Sequence, residues 1–407
     1  MRLKSPVRPT RGLTTLVAAG TVIVGFVGFA VTQGGPASAD PHQVYTVVGS
    51  DTTQNVFDQF ALDEGANLIG SWDALNPVSQ VEGETITPNN AAGGQCSFTR
   101  PDGSGQGLNA LLRSIDQNNQ SAQLAIPPGP NCIDWARSSS GPGSNQTNTG
   151  VLVYIPFAID AVTGVISSAA PSSFSTAANE LTVAQLTTLY STCGSVTTSN
   201  GTTFTPRSST NPSAAFNITL YLPQTGSGTA KYWASVTGNW SLTSLPECVF
   251  TTIQAGASEN DTVQENDGTS VTSDPTGYMP FSIAQYVAQT NGFGDNRLHS
   301  AVLAEITPNP TTANPSPTPV EPTVNGSLNT GFPFTREVYD IIPYDNVTSG
   351  QPGYNAQEAQ LLAGTGSVLC RDVITITNYG FALLPSNSST YDACGATTGN
   401  LRAFTTV

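Results

Sequence analysis

Three times in this chain a short apolar stretch ends in a turn of Gly, Ser and Thr and runs into a segment with helical spacing. The turns are GSDTT (49–53), DGSGQG (102–107) and TGSGT (225–229). VYTVVGS (44–50) predicts a strand, and Val56, Phe57, Phe60, Leu62 and Leu68 after it predict a helix. Leu108, Leu111, Leu112 and Ile115 repeat that logic after the second turn. FNITLYLPQTGSGTAKYWASV repeats it around the third. GVLVYIPFAIDAVTGVI (150–166) reads as a long buried strand, LTVAQLTTLYS (181–191) as a capped helix, and YMPFSIAQYVAQ (278–289) as strand into helix. REVYDIIPYD and VITITNYGFALLP read as strands and a closing element. Strands alternating with helices make this an α/β chain.

The turns also suggest chemistry. At a helix start several backbone N–H groups lack an intrahelical partner, and the helix dipole adds partial positive charge. Gly lets a ligand approach the backbone, and Ser or Thr adds donors, so such a terminus suits phosphate or carboxylate. A single such turn reads first as an N-cap. Three in one alternating chain point to convergence on one cleft. No turn has the G-x-S-x-G spacing of a nucleophile elbow. A Ser–His–Asp triad would need His42 or His299, and neither sits in a motif. PDG (101–103) and QEND (264–267) read as turn residues rather than acids or bases.

The N-terminus carries Arg2, Lys4, Arg8 and Arg11, an apolar run from about Leu13 to Val31, and small residues at Ala37 and Ala39. This predicts a signal peptide (1–39) cleaved after Ala39 and a secreted or wall-associated product. A retained N-terminal anchor is the alternative, and no Cys near Ala39 offers a lipid anchor. Four of the 13 basic residues fall in the leader and none of the 28 acidic ones do, which leaves −19 for residues 40–407. Such a balance excludes nucleic acid as a partner. Six cysteines, Cys96, Cys132, Cys193, Cys248, Cys370 and Cys394, in an oxidising compartment suggest three disulfides. Fifteen pairings are open. Sequential pairing is favoured because each bridge then closes a local loop. A zinc site is the alternative, opposed by the lack of any C-x-x-C. TPNPTTANPSPTPVEPTVNGS (307–327) is too rich in Pro for helix or regular sheet and reads as a surface excursion within a domain.

Taken in order, VVGSDTTQNVFDQF, DGSGQGLNALL, IDWARSSS, LVYIPFAIDAVT, LTVAQLTTLYS and TGSGTAKYW resemble the phosphate-binding proteins of bacterial phosphate ABC transporters. The resemblance covers most of 44–290 and is fainter in 330–385. It implies a two-lobed periplasmic-binding-protein-like fold of the second type, with the ligand in a cleft between lobes. One lobe would be 40–152 plus 275–407, the other 153–274. It further implies ligand donors at Ser50, Thr52 and Thr53, at Ser104 and Gly105, at Arg137, Ser138 and Ser139, and at Ser227, Gly228 and Thr229. Two positions depart from the family. Pro223 stands where an Arg is usual, and Ser139 where an Asp often accepts the proton of hydrogen phosphate. Arg137 or Arg100 would have to supply the missing cation.

The expected function is therefore a non-enzymatic solute-binding protein for a small oxyanion, phosphate first, acting as a monomer without metal or organic cofactor, with an ABC transporter permease as possible partner. The alternative is a cell-surface or extracellular interaction protein on the same fold. A secreted hydrolase is a third and weaker alternative.

Overall fold

The structure, a computed structural model, describes residues 44–65, 67–88, 96–119 and 124–405. The leader, the cleavage point and His42 lie outside them. One eleven-stranded sheet runs through the described residues. Its main path is Val249–Phe250, Thr219–Tyr221, Gly277–Ser282, Leu152–Ser167, Thr335–Pro343, Trp135–Ser138, Tyr45–Gly49 and Ile69–Ser71.

The pairing explains the two-lobed α/β arrangement. At one end Tyr45–Gly49 pairs in parallel with Ile69–Ser71 and with Trp135–Ser138. At the other, Thr219–Tyr221 pairs in parallel with Val249–Phe250 and Gly277–Ser282. Parallel pairs need crossover connections, and helices supply them. Between the ends, Leu152–Ser167 and Thr335–Pro343 run antiparallel to each other and join the halves. All 16 residues of Leu152–Ser167 are buried, which is why it reads as a nearly unbroken apolar run. Gly277–Ser282 pairs with both Thr219–Tyr221 and the end of Leu152–Ser167, and Thr335–Pro343 then runs back along that long strand.

The expected helices form where their apolar faces meet the sheet. Gln54–Glu64 buries Val56, Phe57 and Phe60, and Ser104–Ile115 buries Leu111 and Leu112. Val183–Thr192 starts with a capping box between Thr182 and Gln185. One expectation fails. VITITN, β-branched and read as strand, is the helix Val373–Asn378. The Asp372 carboxylate accepts from Thr375 N, the Thr375 hydroxyl donates to Asp63 at 3.1 Å, and Ile376 packs inside. Capping and tertiary contact override a β preference worth well under a kcal/mol per residue.

The disulfides are Cys96–Cys132, Cys193–Cys248 and Cys370–Cys394. They close loops of 36, 55 and 24 residues, each worth about 3–4 kcal/mol of unfolded-state entropy. The Pro-rich stretch is tied down at its base, where Thr307 exchanges backbone bonds with Leu181 and Val183 and Ile306 pairs with Val320.

Two carboxyls far from the turns make stability pH-dependent. Burial pushes Asp134, which accepts from Thr46 N at 2.7 Å, up to about 6. Burial likewise pushes Glu358, held by Asn346, up to about 7. Both bind protons more tightly folded than unfolded, so the native state holds more protons and stability falls as pH rises from about 4 to about 7. Each of the two should cost about 3 kcal/mol between pH 4 and 8, at about 1.4 kcal/mol for each pH unit by which folding raises it. Denaturant unfolding across that range checks this, and Glu358→Gln should flatten the upper part of the profile.

Candidate functional site

The three Gly/Ser turns meet. Gly49 takes φ +118°, and any side chain there would strike the Arg137 carbonyl, so the first turn needs Gly. It delivers Ser50, Asp51, Thr52 and Thr53 to the start of the helix Gln54–Glu64, all four buried. Thr53 stands at the N-cap, yet its hydroxyl makes no cap bond. Both Ser50 Oγ and Thr53 Oγ1 are buried with no hydrogen-bond partner.

The second turn places Ser104 at the first position of its helix. Its hydroxyl accepts from Ser139 N at 3.0 Å and lies 3.2 Å from Ser139 Oγ. Gly105 N donates to Gly226 O of the third turn at 2.8 Å, so the second and third turns touch. Gly228 then faces the Ser104 and Ser139 hydroxyls so closely that a Cβ on it would overlap both. One residue on, Thr229 Oγ1 lies 3.4 Å from Thr52 Oγ1. Ser104, Ser139, Gly228, Thr229 and Thr52 thus form one chain of contacts across the two halves of the sheet.

Other candidates serve the scaffold. Ser227 caps its helix by accepting from Ala230 N at 3.0 Å. Ser138 is bonded within its own turn to Ser140. Arg137 donates to Ser71 Oγ, Trp72 O and Ser50 O, and interacts with Asp58, Asp73 and Asp340. Arg100 donates to Asp73 O. Neither arginine is bonded to the hydroxyl chain.

The cation at the site is instead Arg336, which the sequence reading did not single out. Its Nη2 donates to Thr229 Oγ1 at 2.8 Å and to Thr52 Oγ1 at 3.4 Å, and Nη1 is buried without a partner. Its strand is in register with Asp160, whose Oδ2 accepts from Nε and Nη2 at 3.1 and 2.8 Å. Asp160 Oδ1 accepts from Ser282 Oγ and Ala284 N, so the carboxylate is well satisfied. The Tyr232 ring backs the guanidinium at 5.4 Å. Part of the signal was present in the sequence, since Asp160 is the one charge inside a long apolar strand and demands a partner.

Three further carboxyls close in. Asp51 pairs with Arg297 at 2.7 Å and accepts from Asn266 Nδ2 at 2.8 Å. Asp102 accepts from Gln224 Nε2 at 2.7 Å, and burial, with Glu82 and Asp51, pushes it well up. Glu265 accepts from Thr52 Oγ1 at 2.8 Å and from Thr229 N at 3.2 Å. QEND was read as turn residues, and Asn266 does take φ +56°, but Glu265 is fully buried in the site.

A cavity of about 790 Å³ adjoins the cradle through Arg297 and Gln264 rather than containing it. Glu82, Asp261, Asp267 and Asp295 outnumber Arg297 and His299 on its wall, so it repels an anion. The hydroxyl, N–H and guanidinium donors lie in the cradle. Among the described residues no cluster of His, Cys, Asp and Glu is arranged to hold a metal, and no helix is long and apolar enough to cross a membrane.

No family model matches the sequence, and no curated protein does. Solved structures similar in course include an ABC-type phosphate transport receptor from Vibrio cholerae, 15% identical with a TM-score of 0.42, covering 84% of this chain and 100% of that one. A phosphate-binding protein from Stenotrophomonas maltophilia is 14% identical with a TM-score of 0.40, covering 84% and 91%. Likeness at such scores carries no weight for the ligand, which has to be read from the site itself.

Proposed function

We propose that the chain is a solute-binding protein that holds a small oxyanion, phosphate first, between the two halves of its sheet. The observation that carries this is the meeting of Thr52, Thr229 and Arg336, one from each half and one from the crossing strands. Hydroxyls, helix-terminal N–H groups and a guanidinium fork replace the water of an oxyanion and add charge where it is needed. The unpartnered donors Ser50 Oγ, Thr53 Oγ1 and Arg336 Nη1 give an oxyanion further bonds to complete. Ser104 and Ser139 extend the same wall. Closure of lobes 40–152 with 275–407 against 153–274 would then bury the ligand, with an ABC permease as the receiving partner. Nothing in this arrangement needs a catalytic step. Calorimetric titration of the full chain with phosphate and with sulfate tests the reading. Saturable one-to-one binding is expected, and no heat from any oxyanion with the protein folded would overturn it.

A further inference from the structure

The strongest donors of the cradle already face an anion, and it belongs to the protein. Glu265 Oε1 takes the Thr52 hydroxyl and the Thr229 N–H, the latter at the start of the nine-residue helix Gly228–Val236. These are the groups a bound oxyanion would use. Glu265 Oε2 is buried with no partner, and so is Arg336 Nη1 on the guanidinium that reaches the same two threonines. The segment carrying Glu265 is held from both sides. Its own N–H donates to Gln224 Oε1 at 3.0 Å, and the next residue, Asn266, donates to Asp51.

We propose that Glu265 is the site's resident anion and sets its ligand selectivity: an oxyanion enters in exchange for the Glu265 carboxylate. This rests on the oxyanion-binding reading and adds a competitor to it. The exchange has a simple cost. A charged carboxylate left beside an incoming oxyanion repels it, and one moved aside loses two bonds. A protonated carboxyl does neither, because it is neutral and can donate to the ligand.

The surroundings favour that neutral form. Asp51 is paired with Arg297, and Arg336 is paired with Asp160, so neither arginine is wholly available to Glu265. Asp102 faces the same space, bonded to Gln224. Burial and then Asp51 push the Glu265 carboxyl up, against the opposing pull of Thr229, Arg336 and Thr52. Binding is therefore coupled to proton uptake, and affinity rises as pH falls.

Calorimetry on the full chain and on Glu265→Gln, with inorganic phosphate and with sulfate from pH 5.5 to 8, tests this. Sulfate does not titrate in that range, so its profile reports the protein. The wild type should bind sulfate at least tenfold more tightly at pH 5.5 than at pH 8. Glu265→Gln should bind it at least tenfold more tightly than wild type at pH 8, with a flat profile. Wild-type binding with a flat sulfate profile overturns the competitor role, as does a folded Glu265→Gln that binds equally or less well, and the oxyanion reading then stands alone. If Glu265→Gln does not fold, the wild-type sulfate profile decides. If neither folded protein binds either ion, the oxyanion reading itself fails.

Discussion

Replacing Arg336 with methionine should abolish oxyanion binding, lowering affinity by at least a hundredfold, and should destabilise the protein by about 3–5 kcal/mol. The two losses have different causes. Stability falls because Asp160, fully buried, is left with its charge uncompensated on the Oδ2 side, where Arg336 alone donates twice. Binding falls because the guanidinium is the only cation bonded to Thr52 and Thr229 among the described residues. A second substitution separates the effects. Arg336→Met with Asp160→Asn removes the stranded charge while keeping the acceptor for Ser282 and Ala284, so it should recover much of the stability and none of the affinity. Urea unfolding reads the first quantity and calorimetry the second. An Arg336→Met protein that binds phosphate as well as wild type would remove the cation from the account.

Gly228→Ala should have a comparable effect on binding with a much smaller effect on folding. A Cβ at Gly228 would overlap the hydroxyls of Ser104 and Ser139, which come from the other half of the sheet. Those side chains are held by the Ser139 N–H to Ser104 Oγ bond, so the helix start must retreat from them. Thr229 moves with it, away from Thr52. A displacement near 1 Å at such a site costs on the order of a hundredfold. The backbone itself accepts Ala, because Gly228 has no positive φ and sits at the first helical position. Overpacking costs about 1–3 kcal/mol, and better helix propensity returns up to about 1. An alanine variant with wild-type affinity would mean that the two faces do not close on the ligand.

Much of this fold was legible. Short apolar runs ending in Gly turns and the helical spacings after them located the strand–turn–helix units, because the strands are buried throughout and each helix packs one face against a single continuous sheet. The long apolar run from 150 to 166 was readable as a buried strand because both its faces are covered. VITITN misled, since its helix depends on Asp372 and on Asp63 from a distant segment.

The site was legible in part. The turns carried Thr52, Ser104 and Thr229, because helix starts announce themselves in sequence, and Ser139 came only with the family resemblance. Which arginine joins them was not, because that depends on strand register. Arg137 and Arg336 both lie in buried strands, and only pairing shows that Arg336 faces Asp160 while Arg137 lies opposite Asp340. Glu265 escaped notice for a related reason. A turn-forming motif and a buried carboxylate can share the same four residues, and only the fold brings this one to Thr52.

A crystal structure of the full chain grown with arsenate, an oxyanion of phosphate's shape, would show where the anion sits. An oxyanion held in the cradle gives an anomalous arsenic peak with its oxygens in hydrogen-bond reach of Thr52 Oγ1, Thr229 N and Arg336, and Glu265 displaced or donating to the ligand. A peak in the acidic cavity beside Arg297 and His299, or none in the cradle at a concentration where calorimetry shows saturation, would contradict it.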